Sequence, residues 1–149
     1  MNSYFSFYHP SLPIISRPPS ADVLYNTSPL LFWTVLATAA RHDSPDFSLL
    51  PRLIPVVKRL LWMTIAEPPH TLASLQAMAI CCVWPFPCSS MSLDITVILA
   101  GILKSAAMHV GLHRPDILRH YSRAPDSVSG EALREVIKVW CCTYIAVEW

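Results

Sequence analysis

The stretch that most constrains this fold is 71–87, TLASLQAMAICCVWPFP. Thr71 is placed to cap a helix, and Pro85 ends it by denying Trp84 the helical conformation. Within that span Ser74 and Gln76 are the only other polar residues, so the helix has no face to offer water. A helix that is apolar all round belongs at the centre of a larger body, and the rest of the chain has to be arranged around it.

The 14 prolines supply most of the remaining punctuation. Pro10, Pro13, Pro18 and Pro19 are spaced too closely for a helix interior, so residues 1–27 are predicted to form an extended arm that packs through Tyr4, Phe5, Phe7 and Tyr8. Ser28-Pro29, a capping residue followed by proline at the first helical position, opens a helix that runs to about Arg41. The next helix lies within 51–66; Pro51 and Pro55 must both fall in or before its first turn, which sets a firm start near Pro55. A fourth helix is capped by Ser92, carries Asp94 in its first turn, and ends at Val110, with Gly111 where a left-handed residue is wanted. A short helix over 115–121 and a loop over 122–129 lead to the last helix, capped by Ser129. That helix sets Leu133, Val136, Ile137, Trp140, Tyr144 and Val147 on one face, with Glu131/Arg134 and Glu135/Lys138 able to pair on the other. No segment alternates with period two. The predicted class is therefore all-α, with five or six helices over 28–149 behind an arm at 1–27.

Surface chemistry narrows the functions. Apolar residues make up 53 % of the chain and charged ones 14 %, against about 25 % charged in an ordinary soluble domain. Either the chain enters a membrane, or its apolar surface faces something else. The candidate spans 30–40, 75–84 and 95–110 each fall short of the roughly 20 uninterrupted apolar residues a crossing needs; the third is cut by Lys104 and Ser105. MNSYFSFYHP lacks the basic start of a secretory signal. The last helix stops at Trp149 in mid-pattern, so the expectation is the N-terminal portion of a larger helical domain, covered by a missing C-terminal half or a protein partner. With net charge +1 and no cluster denser than Lys58-Arg59, direct nucleic-acid binding is not expected.

Candidate chemistry is thin. The cysteines stand as adjacent pairs, Cys81-Cys82 and Cys141-Cys142, plus Cys88. Helical neighbours point about 100° apart, so at most one of each pair could face a shared zinc; small apolar filler suits them better. His109 and His113 have metal-like i,i+4 spacing, but Gly111 breaks the helix between them. His113 and Arg114 are better placed to satisfy the last carbonyls of the fourth helix. No Gly-x-Ser-x-Gly elbow, phosphate loop or paired carboxylates occur, so no enzyme activity is expected. Trp33, Trp62, Trp84, Trp140 and Trp149 read as core packing before they read as an effector pocket.

Five stretches in order, FYHPSLPI (7–14), SPLLFWTVLATAAR (28–41), SLQAMAICCVWPFP (74–87), GLHRP (111–115) and a late helix with Trp140, resemble the middle homology, or regulatory, domain of fungal six-cysteine zinc-cluster transcription factors. The residues carrying the resemblance are Trp33, Gln76, Trp84, Pro85, Pro87, Gly111, Leu112, His113, Arg114, Pro115 and Trp140. Their expected role is architectural: helix stop, C-cap, apolar plug and pre-proline turn. The resemblance implies a nuclear domain that modulates RNA polymerase II transcription, in response to a small effector. It implies no cofactor for this chain, since zinc would belong to the zinc cluster, which the sequence lacks. The alternatives are a stand-alone helical interaction module pairing through its last helix, and a small membrane-associated protein.

Overall fold

The structure, a computed structural model, describes residues 1–16, 20–43, 48–114 and 130–148. The described residues form six α-helices: α1 (Ala21–Thr27), α2 (Pro29–Asp43), α3 (Leu49–Ala66), α4 (Leu72–Val83), α5 (Thr96–His109) and α6 (Gly130–Glu148). No strand occurs among them. The all-α class holds. The predicted short helix over 115–121, the loop that follows and the Ser129 cap lie outside the described residues.

Helix α4 is the hub, packing on α2, α5 and α6, while α1 and α3 lean on α2 from outside. Its residues from Ser74 to Cys82 are all buried, as its lack of a polar face requires. Thr71 and Ser74 form a reciprocal capping box at its start. Ser28 closes α1 with its N–H and opens α2 with its hydroxyl, which accepts from Leu31 N at 3.2 Å.

Four expectations need adjustment. Residues 1–27 are not extended throughout: a π-helical turn covers Tyr4–Tyr8, and Ser20 caps α1, whose first turn carries Asp22. Helix α3 starts at Leu49, ahead of the expected Pro55, which lies inside it. Pro55 lacks an N–H only toward the carbonyl of Pro51, so a single ladder bond near the helix start is lost. Helix α5 starts at Thr96 and not at Ser92. The residues before it make a 3₁₀ turn, Met91–Leu93, and Asp94 stands outside the helix, accepting from Thr96 N at 2.9 Å and from the Thr96 hydroxyl. Those two bonds hold the Asp94 carboxyl below its ordinary pKa.

The last helix differs most. Val139, Cys142, Thr143 and Ala146 are buried, whereas Ile137 and Tyr144 from the expected inner face are exposed. The buried positions 142, 143 and 146 carry small or polar side chains and face α4 and α5, the helices on which α6 packs. Val136, Trp140 and Val147 of the expected face do pack against the core, so the inward stripe is turned about the helix axis from the expected one and not reversed.

Candidate functional site

The residues that carry the family resemblance meet at three junctions. At the first, α4 ends. Trp84 is its C-cap residue, and the Trp84 and Pro85 carbonyls both accept from the Arg41 guanidinium, the former at 3.0 Å. Arg41 reaches across from the last turn of α2 and satisfies carbonyls the ended helix leaves open. Trp84 also stands edge-on to Tyr4 and Tyr8, with ring centroids 6.3 and 5.3 Å away. Phe7 stacks on His42 at 4.0 Å. The arm is thereby pressed against the end of α4. Tyr4 is fully buried, and that burial pushes its hydroxyl pKa up.

Gln76 makes the second junction. Its amide Nε2 donates to the Ile14 carbonyl at 2.9 Å and to Glu135 Oε1 at 3.2 Å, so one buried side chain joins the arm, α4 and α6. The neighbouring Ile15 carbonyl lies 2.6 Å from His9 Nε2. The Ser16 hydroxyl donates to Glu135 Oε2 and accepts from Lys138 Nζ at 2.6 Å. The expected Glu135–Lys138 pair is thus relayed through a serine 119 residues away from the glutamate.

At the third junction Gly111 has φ 81°, in the left-handed region. Gly111 N donates to Met108 O and Leu112 N to Ala107 O, both at 3.0 Å, which is the Schellman pattern. Leu112 is buried as the plug. The Ala107 and Met108 carbonyls at the helix end are therefore served by backbone N–H groups, where the sequence pointed to the side chains of His113 and Arg114. His113 instead packs against Trp140, centroids 6.1 Å apart. Trp33 is half-buried against the core and Pro87 is exposed; Pro115 lies outside the described residues.

Nucleophilic or metal chemistry finds little here. Burial pushes the Cys81 and Cys82 thiols up to about 12, and Cys142 is also raised. Thr34 Oγ1 lies 3.9 Å from Cys81 Sγ. These are packed thiols, far from the thiolate a reaction needs. Among the described residues no three His, Cys, Asp or Glu side chains converge as a metal site.

One apolar surface stays open. On α5, Leu99, Leu103, Ala106 and Ala107 face inward, while Val97 is 82 % and Ile98 62 % exposed. A groove of about 480 Å³ runs between α5 and the end of α3, past Ile65, Ile98 and Ile102. The 19-residue segment Met91–His109, mean hydropathy 1.6, is long and apolar enough by composition to cross a membrane. Its continuous α-helix has 14 residues, about 21 Å of rise against roughly 30 Å of bilayer core. Packing of α5 on α4 and α6 is the better account of it.

Sequence reasoning missed Arg41 as a cap and Ser16 as a relay. Arg41 had a signal: it is the lone cation closing an otherwise uncharged 28–41. Ser16 had none, because its partners are distant in sequence.

Internal clasps joining an aromatic arm to a buried helix define a helical scaffold whose distinctive residues are architectural. The sequence profile of the fungal specific transcription factor domain matches residues 1–146, and the chain belongs to that family. It is 33 % identical over 147 residues to the putative transcription factor SEF1 of Kluyveromyces lactis, covering 97 % of this chain and 13 % of that protein. It is 30 % identical over 151 residues to the transcriptional regulatory protein SEF1 of Candida albicans, covering 99 % of this chain and 16 % of that protein. The chain thus spans about a sixth or less of these relatives. No solved structure matches it.

Proposed function

We propose that this chain is part of the regulatory domain of a fungal transcription factor, acting in the nucleus to modulate RNA polymerase II transcription without enzymatic chemistry. The observation that carries the reading is the family match over 1–146. The clasps fit it, because they hold a scaffold together and leave surfaces free for regulation. A net charge of +1 with no basic cluster favours DNA reading elsewhere in such a factor. The architectural role of Gln76, Trp84, Pro85, Gly111, Leu112 and Trp140 is part of the same proposal. On it, the open α5 face receives the rest of the factor or a protein partner.

Tethering the chain to a heterologous DNA-binding domain upstream of a reporter tests this. Reporter transcript should differ from that of the DNA-binding domain alone, and should return toward it when Trp84 is replaced by Ala. Identical output from the fusion and the bare DNA-binding domain would sink the reading.

A further inference from the structure

We infer that the outward stripe of α6 is a self-recognition surface on which two copies of this chain pair as antiparallel helices about Cys141. The stripe runs through Arg134, Ile137, Cys141, Tyr144, Ile145 and Glu148, all exposed. At about 100° per residue they lie within roughly 60° of the direction in which Cys141 points. Its apolar members are large: Ile137 is 41 % exposed, Tyr144 55 % and Ile145 50 %. Single exposed apolar residues need no explanation, but a row of them along one helix face does. Helices α4 and α5 do not cover the row, because they pack on the other side of α6, where Val139, Cys142, Thr143 and Ala146 are buried.

The order of the residues says what the cover is. Cys141 is the midpoint: Ile137 and Ile145 lie four residues to either side of it, and Arg134 and Glu148 seven. Turned end for end, the row keeps its apolar middle and exchanges the signs of its ends. A two-fold interface demands that pattern, since each copy offers the same patch to the other. In the antiparallel pair Arg134 of each copy comes opposite Glu148 of the other, so an ion pair closes each end of one apolar seam. A parallel pair would set Arg134 against Arg134 and Glu148 against Glu148, at a cost in repulsion. Trp140 takes no part, because it packs against the core.

Size agrees with this arrangement. Cys141 is the smallest side chain of the row and stands at its centre, where two helices come nearest. Helices packed about 8–10 Å apart, each with a Cα radius near 2.3 Å, bring facing Cα atoms to roughly 3–5 Å, which overlaps the span of a disulfide. From Arg134 to Glu148 the seam is about 21 Å long. A contact that short falls at the low end of interface sizes, so the dimer is weak, with Kd on the order of 10 μM. The pairing leaves the α5 face free, and it stands or falls independently of the regulatory reading.

The test is sedimentation of the reduced 149-residue chain from about 1 to about 200 μM, over which the mass should climb from that of one copy toward that of two. Ile137→Lys, at an exposed position, should hold the chain monomeric while the thermal transition stays cooperative. Arg134→Glu and Glu148→Arg should each weaken pairing by about tenfold, and the double exchange Arg134→Glu/Glu148→Arg should restore it to within about threefold. Diamide, which accepts the two electrons and two protons that a pair of thiols gives up, should link the copies in Cys88→Ser and fail to link them in Cys141→Ser. A chain that stays monomeric to the top of the range overturns the proposal on the unaltered protein alone. A dimer that survives Ile137→Lys overturns it as well, as do charge reversals that the double exchange does not repair.

Discussion

Helices α4 and α5 are composed almost alike and live in opposite surroundings. Each is aliphatic along most of its length, yet every residue of α4 from Ser74 to Cys82 is buried, while α5 shows Val97, Ile98 and Met108 to the outside. What separates them is the number of neighbours. Helix α4 is enclosed by α2, α5 and α6 and closed at its end by the arm and Arg41. Helix α5 has α4 and α6 behind it and a groove in front. Apolar composition states that a helix wants cover; only the assembly decides whether it gets cover from its own chain.

The contrast can be broken most forcefully by cutting into α4. Met78→Ala should cost about 2–5 kcal/mol in denaturant melts, the range for cavities in a packed core, whereas Val97→Ala on α5 should stay within about 0.5 kcal/mol. Equal losses at the two sites would erase the distinction. A smaller effect is expected at the clasp. Arg41→Met keeps the apolar stem and removes the donors to the Trp84 and Pro85 carbonyls, for a loss of about 1–3 kcal/mol.

Two glycines sharpen the comparison with opposite signs. Gly111→Ala forces a side chain into left-handed backbone and should destabilise by about 1–2 kcal/mol. Gly101 sits within α5, and an added Cβ would meet nothing within 4 Å. Gly101→Ala should therefore stabilise by up to about 1 kcal/mol through helix propensity. A loss at Gly101 would mean that α5 is not the open helix described.

The least effect at neutral pH concerns the thiols of α4. Folding raises Cys81 and Cys82 from 9.0 to about 12. A raised folded pKa gives stability that is fully present below the unfolded value and lost as pH climbs through the folded one. Stability should be flat up to about pH 9 and fall from there toward 12, in melts compared with a Cys81→Ala/Cys82→Ala double variant, whose alkaline slope should be shallower.

Much of this was legible beforehand, for local reasons. Thr71, Ser28 and Gly111 announce helix ends because caps are short-range chemistry. The centrality of 72–83 follows from its missing polar face. The inward stripe of α6 was legible only in part: Val136, Trp140 and Val147 were placed on it, whereas the buried Val139, Cys142, Thr143 and Ala146 were not, because a pattern of the largest apolar residues passes over small and polar ones. The start of α5 slipped from Ser92 to Thr96 because Ser90 and Asp94 each offer a competing local bond. The Gln76 junction joins residues 14, 76 and 135, a contact no local pattern contains.

The central claim is that the arm and Arg41 seal α4 while nearby surface stays open, and cysteine labelling reads it directly. Cys88, exposed just past the α4 end, is an internal standard for the buried Cys81 and Cys82. At pH 8 under native conditions a thiol reagent should modify Cys88 at least about a thousandfold faster than Cys81 or Cys82, given an opening free energy on the order of 5 kcal/mol. Arg41→Met should speed the buried pair and leave Cys88 unchanged. Comparable rates at all three cysteines in the unaltered protein would contradict the account.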